Sequence, residues 1–496
     1  MTRLWCKPLV TRLWCKPLVM SSLLLAISGC KLGPNYQRPA LETPAAYRFE
    51  ENPVPGSFAD QGWWQIYQDP TLQALLTDAL AHNFDVRIAA TRVEQARALL
   101  GSVRLQQLPQ VSASFGAERT RTSQSLLLPG EPAIGNVFSA DASLSYEVDF
   151  WGKYRRATEA ARAQLLSSKY ARDDVTAGLV SSVATAYFTL QTLDEEVAIT
   201  KRTIKTREKF VELTEGQHER GTVSGLDVAT AQAQLALAQA SLPDLERQIA
   251  QLEDELSVLL GHNPATIVRN ADGELKRMAA PQAPPVPPAG LPSSLLERRP
   301  DVREAEQNLV AANAQIGVAK ANLFPTISLT ATGGSVSTTL SKLFSTPARS
   351  WSLGGSVLQP LLDSQRNLYQ VELADAQKRQ ALLQYAQSVQ TAFEEVSDAL
   401  IARQKYAEVQ IAQQAQVDAQ RKADTIALAR YRVGYASYFD VIDADRDLFT
   451  AELTLSAAHL NTMLSVVQLY RALGGGWQSQ PGTADPPAST PDPPQN

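Results

Sequence analysis

FSADASLSYEVDFWGKYRRATEAARAQLL, residues Phe138–Leu166, holds two periodicities back to back. From Phe138 to Asp149, the apolar set Phe138, Ala140, Ala142, Leu144, Tyr146 and Val148 alternates with Ser139, Asp141, Ser143, Ser145, Glu147 and Asp149. A period of two over that length is a strand with one apolar and one polar face. Past Lys153 the alternation stops, and a helical pattern continues over about 153–218. Upstream, Val111, Ala113, Phe115 and Ala117 alternate with Ser112, Ser114, Gly116 and Glu118, which supplies the opposing strand of a hairpin. Such strands fit either a transmembrane β-barrel or a soluble sheet with one wet face, and alternation alone does not separate the two. The helix does. About 65 residues at a rise of ~1.5 Å reach on the order of 100 Å, a length typical of coiled coils. Heptad spacing supports this in Val183, Leu190, Val197, Ile204 and Val211, and again in Leu235, Leu242, Ile249 and Leu256.

The whole arrangement occurs twice. Asp85-Val86-Arg87 recurs as Asp301-Val302-Arg303, 216 residues later, and Pro109 maps onto Pro325 at the same offset. Gly221, Asp227 and Leu260-Gly261 map onto Gly434, Asp440 and Leu473-Gly474 at an offset of 213. The second hairpin shows Ile327, Leu329 and Ala331 on one strand and Trp351, Leu353 and Val357 on the other. Each half reads as a helix (84–107; 300–322), a β-hairpin, a very long helix (153–218; 363–431), a tight turn with a Gly, and a final helix (226–260; 439–472) that stops at a Gly. The resulting division is 1–29 targeting segment, 30–62 extended segment and 63–275 first repeat, with its hairpin at about 110–149. A Pro-rich linker follows at 276–292, then the second repeat at 293–475, with its hairpin at about 326–359, and a polar tail at 476–496 expected to be disordered.

The N-terminus begins with basic Arg3, Lys7, Arg12 and Lys16, followed by the short apolar run Leu18–Ile27. That run is too short to span a bilayer, which takes about 20 residues. Thr2–Val10 repeats unchanged as Thr11–Val19, which doubles the basic region and leaves the cleavage signal alone. Ile27-Ser28-Gly29-Cys30 resembles the bacterial lipobox, which implies an N-acyl and S-diacylglycerol lipid on Cys30 and cleavage before it. Lys31, in place of an Asp, leans toward the outer membrane. Cys6 and Cys15 leave with the signal, so disulfides and thiolate-bound metals are excluded. The net charge of −5 gives no reason to expect nucleic acid. The four His lack metal-ligand spacing, and no metal site or other cofactor is expected. There is no P-loop, GxSxG or GxGxxG, so no catalytic residue and no enzyme activity is expected.

Four strands cannot close a barrel, and an open edge is not tolerated in lipid. Transmembrane hairpins therefore require an oligomer. The small, polar inner face suits an open lumen, which favours three copies over two.

The chain resembles the outer-membrane factors of tripartite efflux pumps, in the NodT-like lipoprotein branch related to TolC. The residues that carry the resemblance begin with Gly33-Pro34-Asn35-Tyr36, Arg38-Pro39, and Trp63-Trp64 ahead of Asp69-Pro70. They continue with Asp149-Phe150-Trp151-Gly152-Lys153, Glu297-Arg298-Arg299-Pro300-Asp301, and Tyr431-Arg432-Val433-Gly434. The resemblance implies a mainly α fold with a transmembrane β-barrel. A homotrimer would place a 12-stranded barrel in the outer membrane of a Gram-negative bacterium, on a 12-helix periplasmic tunnel. It also implies export of drugs or other small molecules, with a periplasmic membrane-fusion adaptor and an inner-membrane RND pump as partners. The competing readings are a type I protein-secretion channel, which shares the fold, and a lipid-anchored periplasmic coiled-coil protein without a pore.

The resemblance assigns adaptor docking to the two turns, Arg220, Gly221 and Thr222, and Arg432, Val433 and Gly434. It assigns the periplasmic gate to Asp440, Asp443, Asp227 and Tyr431. Asp440 and Asp443 lie one helical turn apart and would form stacked carboxylate rings in a trimer. Asp227 and Asp440 also follow Ser224 and Ser437 by three, the spacing of a capping box, and spacing does not separate the two roles. Ala436 stands where the best-known relative of the resembled family has a gate Arg. Asp424 and Asp447 read as solvated surface acids. Trp63, Trp64 and Trp151 read as core or interface aromatics rather than a ligand box.

Overall fold

A computed structural model describes residues 31–41, 43–44, 46–49, 57–123, 125, 132–267 and 292–478. The targeting segment with Cys30, nearly all of the Pro-rich linker and the tail beyond Gln478 lie outside the described residues. The elements are α1 (Pro70–His82), α2 (Phe84–Leu105), β1 (Gln110–Arg121), β2 (Ile134–Glu147), α3 (Lys153–Glu219) and α4 (Gly225–Leu259). After the linker come α5 (Pro292–Arg298), α6 (Pro300–Ala321), β3 (Thr326–Ser337), β4 (Arg349–Leu358), α7 (Ser364–Arg432) and α8 (Tyr438–Ala472). The long helices α3 and α7 have 67 and 69 residues. Among the described residues, no helix is long and apolar enough to cross a membrane.

The chain forms two compact units. Of the described residues, one gathers those within 31–39, 94–166 and 306–383; the other gathers those within 40–93, 167–305 and 384–478.

The first unit holds a four-stranded antiparallel sheet in the order β1-β2-β3-β4. The two hairpins thus join through β2 and β3. The register aligns the sequence alternation across all four strands. Val111 faces Leu144, Leu144 faces Ala331, and Ala331 faces Leu353, which makes an apolar row. One residue along, Ser112, Ser143, Thr332 and Ser352 make a polar row. Ser112 and Ser143 share a hydrogen bond at 2.7 Å, and the Ser114 hydroxyl donates to Asp141 at 2.5 Å. The apolar face is open in the single chain, with Phe115 at 81% and Trp351 at 83% exposure. Among the described residues, the outer edges of β1 and β4 have no strand partner.

The N-terminal segment is fixed in this unit by Arg156, which is 1% exposed. Its guanidinium donates to the Leu32 and Gly33 carbonyls and to Asn35 Oδ1 at 2.8–3.0 Å. Gly33 has φ +87°, and a Cβ there would stand 2.6 Å from the Gly317 Cα, so only glycine allows this approach. Asn313 donates to the Pro34 carbonyl, and Tyr36 and Arg38 both donate to Glu306. The Gly33–Arg38 motif is therefore a strap held by α3 and α6. Trp151 stacks on Phe324, and its indole N–H donates to the Pro325 carbonyl at 2.8 Å.

The second unit is helical. Asp69 caps α1 through Thr71 N and Leu72 N, with Pro70 at the first helical position. Its other carboxylate oxygen accepts from the buried Tyr187 hydroxyl at 2.5 Å. The core runs along Val180, Val183, Ala184, Tyr187 and Leu190 of α3, and Tyr385, Val389, Ala392 and Val396 of α7, all buried. These follow helical i, i+3, i+4, i+7 spacing, and each large apolar side chain contributes about 1.5–3 kcal/mol on burial. Trp63 is buried and meets Trp64 edge to face. Arg299, 7% exposed, reaches Glu395 at 2.6 Å, Asp301 at 2.7 Å and the Ala472 carbonyl at 3.1 Å. Burial pulls its pKa down, and the Asp301 and Glu395 carboxylates together more than offset this, so it stays charged. The Arg299-Pro300-Asp301 motif thus ties the start of α6 to α7 and to the end of α8. Trp477 and Gln478, assigned from sequence to the tail, are held by bonds to the Gly474 and Ala59 carbonyls.

Candidate functional site: the paired helical turns

The two turns that reverse the long helices lie in the helical unit and share one backbone design. At the first, Gly221 N donates to the His218 carbonyl and Thr222 N to the Gln217 carbonyl. At the second, Gly434 N donates to the Tyr431 carbonyl and Tyr435 N to the Arg430 carbonyl. This is the Schellman pattern, which places its glycine in the left-handed region, here at φ +70° and +79°. A capping box then opens the next helix. Ser224 Oγ accepts from Asp227 N while Asp227 Oδ2 accepts from Ser224 N at 2.9 Å. Ser437 and Asp440 repeat the exchange, with the return bond at 2.8 Å.

Both capping acids are therefore engaged in their own turns, Asp440 solvent-exposed and Asp227 half-buried. The hydrogen bonds from Ser437 hold the Asp440 carboxyl below the usual aspartate range. Asp443 pairs with Arg446 at 2.5 Å, and Arg446 also holds Asp447 at 2.9 Å. Tyr431 does not bond Asp227. Its hydroxyl donates to Gln217 Oε1 at 2.7 Å, and its ring lies 5.8 Å from that of Tyr438, which in turn lies 6.2 Å from Phe210. Burial raises the pKa of both tyrosines, so both keep their protons.

Beneath the turns a buried arginine pairs with a half-buried aspartate, an ion pair that has no signature in the sequence. Arg207, 4% exposed, donates through Nε to Asp445 at 2.7 Å and through Nη1 to the Gln234 carbonyl at 2.8 Å. Its guanidinium lies 5.3 Å from the Phe449 ring centroid. One side chain thus joins α3, α4 and α8. Arg421 reaches Glu452 at 2.9 Å and so joins α7 to α8. Asp424, read from sequence as a solvated acid, is half-buried, and burial with Asp445 and Glu452 nearby raises its pKa. At the outer ends of the turns, Leu226, Val433, Tyr435 and Phe439 are exposed apolar residues.

The expected docking residues thus come together as two turns of one design. Of the expected gate residues, Tyr431 bridges the hairpins, Asp227 and Asp440 cap helices, and Asp443 pairs with Arg446 on its own helix. The structure also groups Asp78, His82 and His262, which sequence spacing did not suggest because the two histidines are far apart in the chain.

A sheet with one apolar and one polar face, set in a chain of very long helices reversed by paired turns, defines an outer-membrane channel subunit. The chain belongs to the outer membrane efflux protein family, whose model matches residues 75–262 and 291–475. It is 38% identical over 476 residues to the probable efflux pump outer membrane protein TtgC of Pseudomonas putida KT2440, covering 94% of this chain and 97% of that one. The antibiotic efflux pump outer membrane protein ArpC of Pseudomonas putida matches to the same extent. Among solved structures, the outer-membrane channel OprN superimposes with a TM-score of 0.83 at 30% identity, covering 91% of this chain and all of that one. The protein is an outer-membrane channel subunit of an efflux pump, a transport duct rather than an enzyme. Its fold is the helical tunnel and β-barrel of this family.

Proposed function

We propose that three copies assemble into one duct and receive drugs or other small molecules from a periplasmic adaptor and an inner-membrane RND pump. The unpaired edges of β1 and β4 carry this reading. A β-barrel in lipid needs every edge closed, and three four-stranded sheets supply twelve strands with a lumen. The antibiotic efflux role named for ArpC supports drugs as cargo. Residues 1–29 are removed, and Cys30 carries the acyl and diacylglycerol chains. The strap at Arg156 then sets where that anchor leaves the protein.

Arg220, Gly221, Thr222, Arg432, Val433 and Gly434 form the adaptor-docking tips, and the exposed Leu226, Val433, Tyr435 and Phe439 give them an apolar surface. Asp227, Tyr431, Asp440 and Asp443 belong to the gate, with Arg207–Asp445 as its latch. The mass of the detergent-purified particle tests the stoichiometry. Three chains are expected, and a monomer or dimer contradicts the reading. In cells, Val433→Asp with Tyr435→Asp is expected to abolish drug resistance while leaving particle mass unchanged. Full resistance with that variant contradicts docking at the tips.

A further inference from the structure

We infer that Asp78, His82 and His262 form a binding site for a divalent transition-metal cation of the zinc type. The three side chains offer ligand atoms that all lie within 4.8 Å of one another. His82 Nδ1 is 2.8 Å from Asp78 Oδ1, and His262 Nε2 is 2.9 Å from Asp78 Oδ2. The imidazole rings are 5.5 Å apart between centroids. Two imidazole nitrogens and a carboxylate oxygen form a donor set that suits Zn²⁺, Cu²⁺ or Ni²⁺ and disfavours Mg²⁺ and Ca²⁺, which prefer all-oxygen shells. All three side chains are partly exposed, between 37% and 56%, so the cation can enter and water can complete its shell.

The backbone presents the site independently of these side chains. Asp78 and His82 are one helical turn apart on α1 and share a face. His262 follows the Schellman turn that ends α4, with its N–H on the Ser257 carbonyl. The glycine before it, Gly261, has φ +79°, and a Cβ there would stand 2.4 Å from the His82 carbonyl oxygen. Asn83 Nδ2 donates to the Leu259 carbonyl at 2.9 Å, which fixes the same approach from the other side. The last turn of α1 and the end of α4 are thus locked together whether or not a metal is bound, as preorganised ligands require.

The second repeat shows that packing alone does not demand these residues. There Gly474 sits against Arg298 and Arg299 as Gly261 sits against His82. The positions of Asp78, His82 and His262 are occupied by Ser294, Arg298 and Gly475, and Arg298 instead pairs with Asp60 at 2.6 Å. The scaffold is repeated, and the three ligands appear in one copy only.

The test uses full-length protein without a polyhistidine tag, stripped with chelator and dialysed against Zn²⁺. One tightly held Zn²⁺ per chain is expected, unaffected by excess Mg²⁺. Removing a supporting residue around a metal costs about 10–100-fold in affinity, so His82→Ala or His262→Ala is expected to weaken binding at least about tenfold. His218→Ala and His459→Ala should leave it unchanged. On wild-type protein, Cu²⁺ is expected to show nitrogen hyperfine coupling from two imidazoles, which keeps the test valid if a variant fails to fold. Absence of stoichiometric Zn²⁺, binding that survives the His82→Ala/His262→Ala double variant, or a copper spectrum without nitrogen coupling overturns the site.

Discussion

The turn at 220–224 and the turn at 433–437 share a backbone and differ in what they hold. Each has a Schellman glycine followed by a Ser–Asp capping box. At the offset of 213, His218 corresponds to Tyr431 and Thr230 to Asp443. His218 Nδ1 meets the Val223 carbonyl of its own turn at 3.0 Å. Tyr431 instead reaches across to Gln217 of the first hairpin. Arg207 of the first hairpin reaches Asp445 of the second. Each hairpin has an internal brace, Arg207 to the Gln234 carbonyl in the first and Arg421 to Glu452 in the second, and Tyr431 and Arg207 tie the two hairpins together. Duplication kept the devices that reverse the chain and let the cross-links diverge.

Breaking the latch has the largest expected effect. Arg207→Met leaves the half-buried Asp445 without its partner, and loss of a hydrogen bond between charged groups costs about 1.5–3 kcal/mol. Thermal unfolding of the purified particle reads this loss. Asp445→Asn added to Arg207→Met should cost far less than the sum of the two single changes, because the pair acts as a unit. Additive losses would show that the two residues are not partners.

Next come the shared turns. Gly221→Val and Gly434→Val each force a β-branched residue into the left-handed region, at about 1–2 kcal/mol or more. Nearly equal losses are expected, and a marked inequality would break the claim of a common backbone. Ser224→Ala and Ser437→Ala remove the caps for about 1 kcal/mol each, again as a matched pair.

The asymmetry itself is sharpened by Tyr431→Phe against His218→Ala. Tyr431→Phe removes the bond to Gln217, worth about 1 kcal/mol, and is expected to raise conductance. His218→Ala is expected to leave conductance unchanged.

The smallest effect is on pH dependence. The Asp440 carboxyl is held below its ordinary range, so its contribution is fully present above the unfolded aspartate pKa and fades as pH falls through the lowered value. Asp424 is shifted upward, so its contribution has the opposite sign. It is present below the unfolded aspartate pKa and lost as pH rises through the raised value. Asp424→Asn should therefore flatten a small gain in stability seen on mild acidification. An unchanged pH profile would show that Asp424 is solvated after all.

The repeat, the strands and the ends of the long helices were legible in the sequence because their signals are local. Alternation marks β2, Pro109 and Pro325 stand just ahead of the first strand of each hairpin, and glycines mark where α4 and α8 stop. The capping spacing of Asp227 and Asp440 was visible too, and the structure shows that role in both turns. The cross-links were not legible. Arg207 and Asp445 are far apart in the chain, and neither charge has a periodic neighbour to set it apart from the solvated charges on the same helices. Asp424 was misread for the same reason: which flank of a long amphipathic helix is covered depends on the neighbouring helices. Arg156 and the pair His82–His262 likewise acquire partners only when distant segments are brought together.

Single-channel recording in planar bilayers tests most directly whether the protein forms a water-filled duct and whether the Arg207–Asp445 latch restricts it. Wild-type particles of verified multi-chain mass are expected to give discrete conductance steps, and Arg207→Met particles larger ones. No steps from either protein would contradict the duct, and equal steps from both would contradict the latch.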